Sequence, residues 1–346
     1  MDIIPLRSPR YEVVTAPATS NSAKLELTID STLRYTIIKD CTAGSTVTFE
    51  ISELCRDYLT DVLVYKIAGI IYPLTQQIEI SRSIKFYTGA NGTGSLVSTD
   101  TATYNAIDGY GDWIDGANYL IPTGATNAFL FSKLDGEYEM IAPADVILNI
   151  PATDTNDDVV NLTNIDTGTT DRTYTYRSST LNIKIADCSK YTPTLIYFVN
   201  KFGAHQPFYF LTKKVEALGT ESQTFQQNTI DTSSTTPTYF TPGLSGYPSY
   251  PHSVKTFNKN GKKRYILSSG YYPEKYNTYF EQILLSELIW IETETSVSGS
   301  GNTITNEMMP VRVVTSDFTY KTSLNDRLIE YTIEFEEAVD HINNIR

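Results

Sequence analysis

Histidine, cysteine and paired carboxylates carry most protein catalysis, and in this chain their spacing is sparse. The histidines are His205, His252 and His341. None stands in a His-Glu-x-x-His pair, which would set two imidazoles on one helix face for zinc. No Gly-x-Ser-x-Gly elbow exposes a serine, and no Gly-x-x-x-x-Gly-Lys loop cradles phosphate. Cys41, Cys55 and Cys188 are odd in number and far apart, without a Cys-x-x-Cys pair. They read as buried thiols of a chain made in a reducing cytoplasm, not as a disulfide framework or zinc site. Glycoside hydrolysis needs only two carboxylates at a set separation. With 40 Asp and Glu residues such a pair is inevitable, so it carries no weight. The expectation is a protein without catalytic residues, cofactor or metal, and not an enzyme.

Two clusters could still bind something. Asp108-Gly109-Tyr110-Gly111-Asp112-Trp113-Ile114-Asp115-Gly116 concentrates turn formers and carboxylates. A calcium loop would need ligands at alternating positions and a distal Glu, which are absent. A glycine-built turn exposing Tyr110 and Trp113 is the expectation. Between Val254 and Leu267, Asn260-Gly261 has the composition of a two-residue hairpin turn. Lys259, Lys262, Lys263 and Arg264 would then crowd its tip, beside Phe257 and Tyr265. Basic residues among aromatics can contact nucleic acid; a solvated turn, or a knob docking on an acidic neighbour, is the expectation here.

The elements that hold these residues read as strands. Leu25–Ile29, Arg34–Ile38 and Val47–Ile51 alternate apolar and polar side chains, the period of a half-buried sheet. Ser52–Leu59 reads as a short helix with Ser52 as cap. Ile67–Tyr72, Gln77–Ile80 and Ile84–Tyr87 are further strands, with a turn at Asn91-Gly92. Asp154–Asp158 is the expected seam, after which Arg172–Tyr176, Leu181–Ile185, Leu195–Asn200 and Phe208–Leu211 continue the pattern. Lys201–His205 is a turn in which Gly203 can take positive φ. Pro207 marks an edge or a bulge, because it lacks a donor. Thr278 and Glu281 fit a capping box before Ile283-Leu284-Leu285. Leu288–Ile291 is a strand, Glu292–Glu307 a Ser/Thr/Gly loop, and Pro310–Val314, Phe318–Lys321 and Arg327–Phe335 are strands. A terminal helix would bury Ala338, Ile342 and Ile345.

The predicted fold is mainly β: two β-sandwich or barrel-like domains with a few short helices and long loops. Residues 1–24 form an irregular Pro-rich arm, 25–152 an N-terminal β domain, and 153–346 a C-terminal β domain. The latter carries a long loop at 220–253, which is either an arm laid on a neighbouring subunit or a floppy loop. Hydrophobic residues are 40% and charged ones 19%, and Tyr is abundant at 25 copies. Tyr suits both strands and subunit interfaces. The net charge of −13 argues against a sequence-independent grip on phosphate. No signal peptide is visible at the N-terminus, and Val62–Leu74 is too short and interrupted to span a bilayer. A soluble protein without membrane contact is expected.

Several stretches together carry a family likeness. They are Leu6-Arg7-Ser8-Pro9-Arg10-Tyr11, Phe49–Leu54 with Arg56-Asp57-Tyr58-Leu59, Asp108-Gly109-Tyr110-Gly111, and Phe198–Gly203 running into Phe208-Tyr209-Phe210. Leu285-Ser286-Glu287 with Trp290, then Tyr320-Lys321-Thr322, Tyr331–Glu336 and Ile342–Arg346 complete them. In this order they resemble virion structural proteins of tailed bacteriophages infecting Bacteroidetes, which are tail, baseplate or neck components. The resemblance implies a β-domain subunit that closes with copies of itself into a ring around the DNA channel, beside other tail or neck proteins. It would be made in the host cytoplasm and end in the virion. Pro5, Pro9, Tyr11, Tyr239, Tyr247 and Tyr250 are then the candidate assembly contacts of arm and loop. The competing expectation is a receptor- or carbohydrate-binding module at the tail tip, using Tyr110, Trp113, Tyr247 and Tyr250 as stacking platforms.

Overall fold

Alternation in the first third of the chain becomes sheet. The computed structural model describes residues 2–60, 64–67, 70–73, 77–111, 128–155, 158–186, 190–226, 230–231, 238–239, 254–297, 303–317, 319–321 and 328–339. The first elements are β1 (Asp2–Pro5), β2 (Tyr11–Thr15), β3 (Ser22–Ile29), β4 (Thr32–Asp40), β5 (Thr46–Glu50), α1 (Ser52–Arg56), β6 (Val64–Ile67), β7 (Ile70–Pro73), β8 (Gln77–Tyr87) and β9 (Leu96–Ile107). A five-stranded sheet runs β1-β9-β8-β3-β4, and β2 pairs with β5 separately. Ala23, Leu25, Leu27 and Ile29 turn inward from β3 and are fully buried with Ile80, Ile84, Phe49 and Cys55. The intervening Lys24 and Glu26 pair on the other face, where Lys85 also reaches Glu26 at 2.5 Å. Two sheets thus enclose one apolar layer in the manner of a small sandwich.

The second core is larger. The elements that follow in the chain are β10 (Tyr138–Ala142), β11 (Ile147–Thr153), β12 (Val159–Asp166), β13 (Arg172–Tyr176), β14 (Ser179–Ile185), β15 (Thr194–Val199), β16 (His205–Phe210), β17 (Lys214–Gln226), β18 (Ile230–Asp231), β19 (Thr238–Tyr239), β20 (Val254–Ser268), β21 (Tyr272–Pro273), α2 (Asn277–Leu285), β22 (Ile289–Val297), β23 (Thr303–Val313), β24 (Leu328–Ile329) and β25 (Thr332–Glu337), and all but β17, β18 and β19 supply residues to it. Seven strands form one sheet in the order β16-β15-β22-β23-β25-β20-β17. Aromatic rings fill the space beneath it: Phe208 stacks on Tyr272 at 5.0 Å, and Phe280 meets Phe208, Tyr272 and Tyr331. Such rings contribute large buried area and prefer these offset and edge contacts. Pro207 sits in β16, an end strand of the sheet, where a missing N–H costs least. The chain is mainly β with few helices, and among the described residues no sheet closes into a barrel.

Several expectations are corrected. Residues 1–24 are no irregular arm: β1 pairs in parallel with β9, β2 pairs with β5, and Ile3, Ile4 and Leu6 are buried. Ser52 does not cap α1; its hydroxyl and N–H both bond Glu50. The seam at Asp154–Asp158 falls instead between the paired strands β11 and β12 of one sheet, with Asp154 N–H donating to Asp158 O. The buried clusters instead part between Ala106 and Phe129. Asn260-Gly261 makes no turn, because β20 runs straight through it, with Gly261 opposite Thr220 in β17. Much of the Glu292–Glu307 loop is strand: Ile289–Val297 pairs with Thr303–Val313, since Thr-rich polar strands pair well when their ladder is complete. The 220–253 loop likewise begins as strand, with β17 reaching Gln226. Thr278 caps nothing; α2 grows out of a 3-10 turn over Glu274–Tyr276. Thr319–Lys321 is irregular, and the Arg327–Phe335 run breaks between β24 and β25 although Ile329, Tyr331, Ile333 and Phe335 are all buried. Most of the terminal helix, with Ile342 and Ile345, lies outside the described residues.

Candidate functional site

Five stretches distant in sequence meet where the two cores touch. The first is the end of β1. Leu6 N–H donates to Ile107 O and Arg7 N–H to Gly109 O, both at 3.0 Å, which holds the chain beside the turn after β9. Ser8 is buried and accepts from Gly111 N–H at 2.7 Å. The Arg7 guanidinium lies 5.2 Å over the Tyr110 ring. Arg56 is supplied by the last turn of α1.

From the second core comes the turn between β15 and β16. Asn200, fully buried, accepts from Phe202 N–H at 2.9 Å and Ala204 N–H at 3.1 Å, and donates to Leu130 O at 2.7 Å. Its amide thereby shapes the turn from within, as Asn does in tight turns. Gly203 follows at φ +72°, and a Cβ there would lie 2.6 Å from the Asp108 carbonyl carbon and 2.8 Å from Gly109 N. Across this contact Tyr110 N–H donates to Lys201 O at 2.9 Å. Gln282 of α2 accepts from Lys201 N–H at 3.0 Å, which ties the turn to the helix. The helix then exits through Ser286, whose hydroxyl accepts from Val199 N–H at 3.0 Å.

Glu287 closes the arrangement. One of its oxygens is 3.1 Å from Arg7 Nη2 and the other 2.8 Å from Arg56 Nη2. Arg56 Nε also stands 3.7 Å from Asp108 Oδ1. Burial pushes the Asp108 carboxyl above the ordinary aspartate range, against the opposing pull of Arg7 and Arg56. Two carboxylates and two guanidiniums here answer one another, so the chemistry on offer is coupling between cores.

The other expected site residues are scattered. Pro5 pairs with Ile107 inside the first sheet, Pro9 follows the buried Ser8, and Tyr11 begins β2 half exposed opposite Glu50. Tyr239 lies in β19 opposite Ile230. Trp113, Tyr247, Tyr250, Cys188, His252 and His341 lie outside the described residues. Lys259, Lys262, Lys263 and Arg264 sit within a strand instead of on a hairpin tip. Arg264 donates to Glu336 at 3.0 Å and to Glu334 at 3.3 Å; Lys262 stands 3.7 Å from Glu336, and Arg312 donates to it at 2.7 Å. Hydrogen bonding from Arg312, with the charges of Arg264 and Lys262, holds the Glu336 carboxyl below its usual range. Gly219, Thr220, Glu221, Lys262, Arg264 and Glu336 line a cleft of about 380 Å³ beside this ladder.

Two buried carboxylates had escaped sequence reasoning. Glu12 of β2 is met by Arg82 at 2.8 Å, Arg10 at 3.1 Å and the Tyr104 hydroxyl at 3.1 Å. Glu139 of β10 is met by Lys275 at 2.8 Å and Lys184 at 3.0 Å, with Tyr276 OH donating at 3.2 Å. Burial alone would raise the Glu139 carboxyl, and the two lysines override it and hold it low. Apart from Arg10, two residues from Glu12, the partners come from distant stretches, so no spacing in the sequence announces either set. His205 is buried edge-on to Trp290 at 5.0 Å, and burial takes its imidazole down to about 3. Among the described residues no three His, Cys, Asp or Glu side chains are arranged to hold a metal ion, and no helix is long and apolar enough to cross a membrane. Comparison with protein-family models, with curated protein sequences and with solved structures yields no match to the chain.

Proposed function

We propose that the chain is a structural subunit of a bacteriophage tail or neck, which joins copies of itself into a closed ring around the DNA channel and performs no turnover chemistry. What carries the reading is the convergence at the junction. Leu6–Tyr11, Arg56, Asp108–Gly111, Asn200–Gly203 and Leu285–Glu287 are among the stretches that carry the likeness to phage structural proteins, and they touch one another, while others, such as Phe208–Phe210 and Tyr331–Glu336, lie in the second core. The task it suits is mechanical: two β cores held together by paired charges and a glycine contact.

The tail-tip alternative has less behind it. A sugar platform needs an open aromatic face, and the Arg7 guanidinium covers the one Tyr110 would present. The deciding measurement is a cryo-EM reconstruction of the virion, with sedimentation analysis of the purified protein beside it. The reading expects rings coaxial with the tail. A monomer at the distal fibre tip, or polysaccharide hydrolysis abolished by changing one carboxylate pair, would overturn it.

A further inference from the structure

Among the described residues the longest pairing belongs to β17 and β20, from Lys214↔Leu267 to Gln226↔Val254. On its other edge β20 meets β25, among the described residues, only between Arg264 and Ser268, and β25 ends at Glu337. Leu218–Gln226 and Val254–Lys263 therefore leave the seven-stranded sheet as a two-stranded ribbon about 30 Å long at ~3.3 Å per residue. The register shifts between Gln223 and Thr224, a bulge that bends and twists the ribbon midway. Such a ribbon is marginal alone in water. It nevertheless exposes Leu218 and Val254 at 56% each, and Phe225 and Phe257 at 46% each, with the two Phe rings 6.3 Å apart.

Its charge is the reverse of the molecule's. The ribbon carries Lys255, Lys259, Lys262 and Lys263 against a single carboxylate, Glu221, in a chain of net charge −13. We propose that this ribbon docks on the acidic surface of a second copy of the chain, with Phe225, Phe257 and Val254 covered at the contact and Lys255 and Lys263 facing its carboxylates. The proposal rests on the ring-subunit reading and adds to it the surface by which copies join. A second copy suits the ribbon better than nucleic acid does. Four exposed apolar side chains gain from being covered by protein, and phosphates would have to compete with Glu336 for Lys262 and Arg264. A projecting ribbon and a separate acidic acceptor make a head-to-tail contact, which closes into a ring when the rotation allows.

The test uses the full chain and two double variants at exposed positions, Phe225→Asp with Phe257→Asp and Lys255→Glu with Lys263→Glu. Sedimentation velocity over a range of concentration and salt reads assembly, and circular dichroism melting reads the fold. Wild type should associate, more weakly as salt rises, and each variant should associate at least tenfold more weakly with its melting unchanged. Variants that melt and assemble like wild type would overturn the ribbon contact and leave the ring reading standing. A wild type that stays monomeric throughout would remove both. A short DNA duplex is the third arm: binding abolished by Lys255→Glu with Lys263→Glu, assembly being unaltered, would make the ribbon a nucleic-acid element and defeat the proposal. Should a variant fail to fold, a photo-crosslinker replacing Phe225 in the otherwise native chain decides: a covalent dimer is expected, and its absence counts against docking.

Discussion

At Gly203 two restraints coincide. The backbone is left-handed at φ +72°, and the space a side chain would need is filled by the backbone of Asp108 and Gly109. Gly44 shares the first restraint, at φ +76°, with nothing within reach of a Cβ. Gly44→Ala should therefore cost only the strain of a left-handed residue, roughly 1–2 kcal/mol. Gly203→Ala should cost that and about 1–3 kcal/mol more for overpacking. Urea unfolding of the two variants measures the difference, and equal losses would mean the turn does not press on Asp108. His205 offers a second residue-scale expectation. Its imidazole is held down to about 3 by burial, against about 6.5 when unfolded. Its contribution is complete above pH 6.5; below that the unfolded chain takes a proton the native one refuses, so stability falls by about 1.4 kcal/mol per pH unit toward pH 3. Stability profiles of wild type and His205→Leu between pH 7 and pH 4 (roughly the window of that titration) should diverge accordingly, and parallel profiles would refute a buried neutral imidazole. Gly203 was readable in the sequence as a positive-φ turn, because glycine reports its own backbone. The buried Glu12 and Glu139 were not, because their partners Arg82, Lys184 and Lys275 come from distant stretches, two strands and the 3-10 turn over Glu274–Tyr276.

Elements were legible where their pairing was local and their inner face apolar. Leu25–Ile29 and Arg172–Tyr176 fall within or on their strands because alternation alone specifies which face turns in. The N-terminal residues misled, since three prolines suggest an irregular chain and the parallel partner of β1 lies about a hundred residues away in β9. Asn260-Gly261 misled for the opposite reason. A two-residue turn there needs positive φ at both positions, whereas the thirteen paired positions of β17 and β20 keep it extended. Deletion of residues 1–20 is the test at this scale. It removes buried Ile3, Ile4 and Leu6, each worth about 1.5–3 kcal/mol, and strips Arg82 of the buried Glu12 carboxylate. Set against a total stability of roughly 5–15 kcal/mol, the first core should fail to fold, leaving a chain that melts early or aggregates. A truncated protein melting within a few degrees of wild type would show that β1 and β2 are dispensable additions to the sheet.

For the whole molecule the question is whether the two cores move as one. Contacts of three kinds cross between them: the close packing of Gly203 on Asp108 with the Tyr110–Lys201 bond, the charges about Glu287, and the hydrogen bonds of Gln77 to Asp158 and Val159. Glu287 is half exposed, with its side chain at 53%, so its ion pairs are screened by solvent. Glu287→Gln should accordingly cost about 1 kcal/mol or less, and the loss should shrink in high salt, where the screening length falls to about 3 Å. Charge reversal is a harsher probe. Glu287→Lys would set a third cation beside Arg7 and Arg56, leaving Asp108, already reluctant to ionise, as the carboxylate facing them. Burial drives the folding of each core separately, and attraction across the junction would give way to repulsion. Calorimetry of Glu287→Lys should then resolve two transitions, or one markedly broadened, where wild type gives a single one. High salt should restore the single transition, because it screens repulsion as it screens attraction. A Glu287→Lys protein that still unfolds in one unbroadened transition at low salt would show that the glycine contact, the Tyr110–Lys201 bond and the Gln77 hydrogen bonds suffice, and that the charges merely decorate the joint.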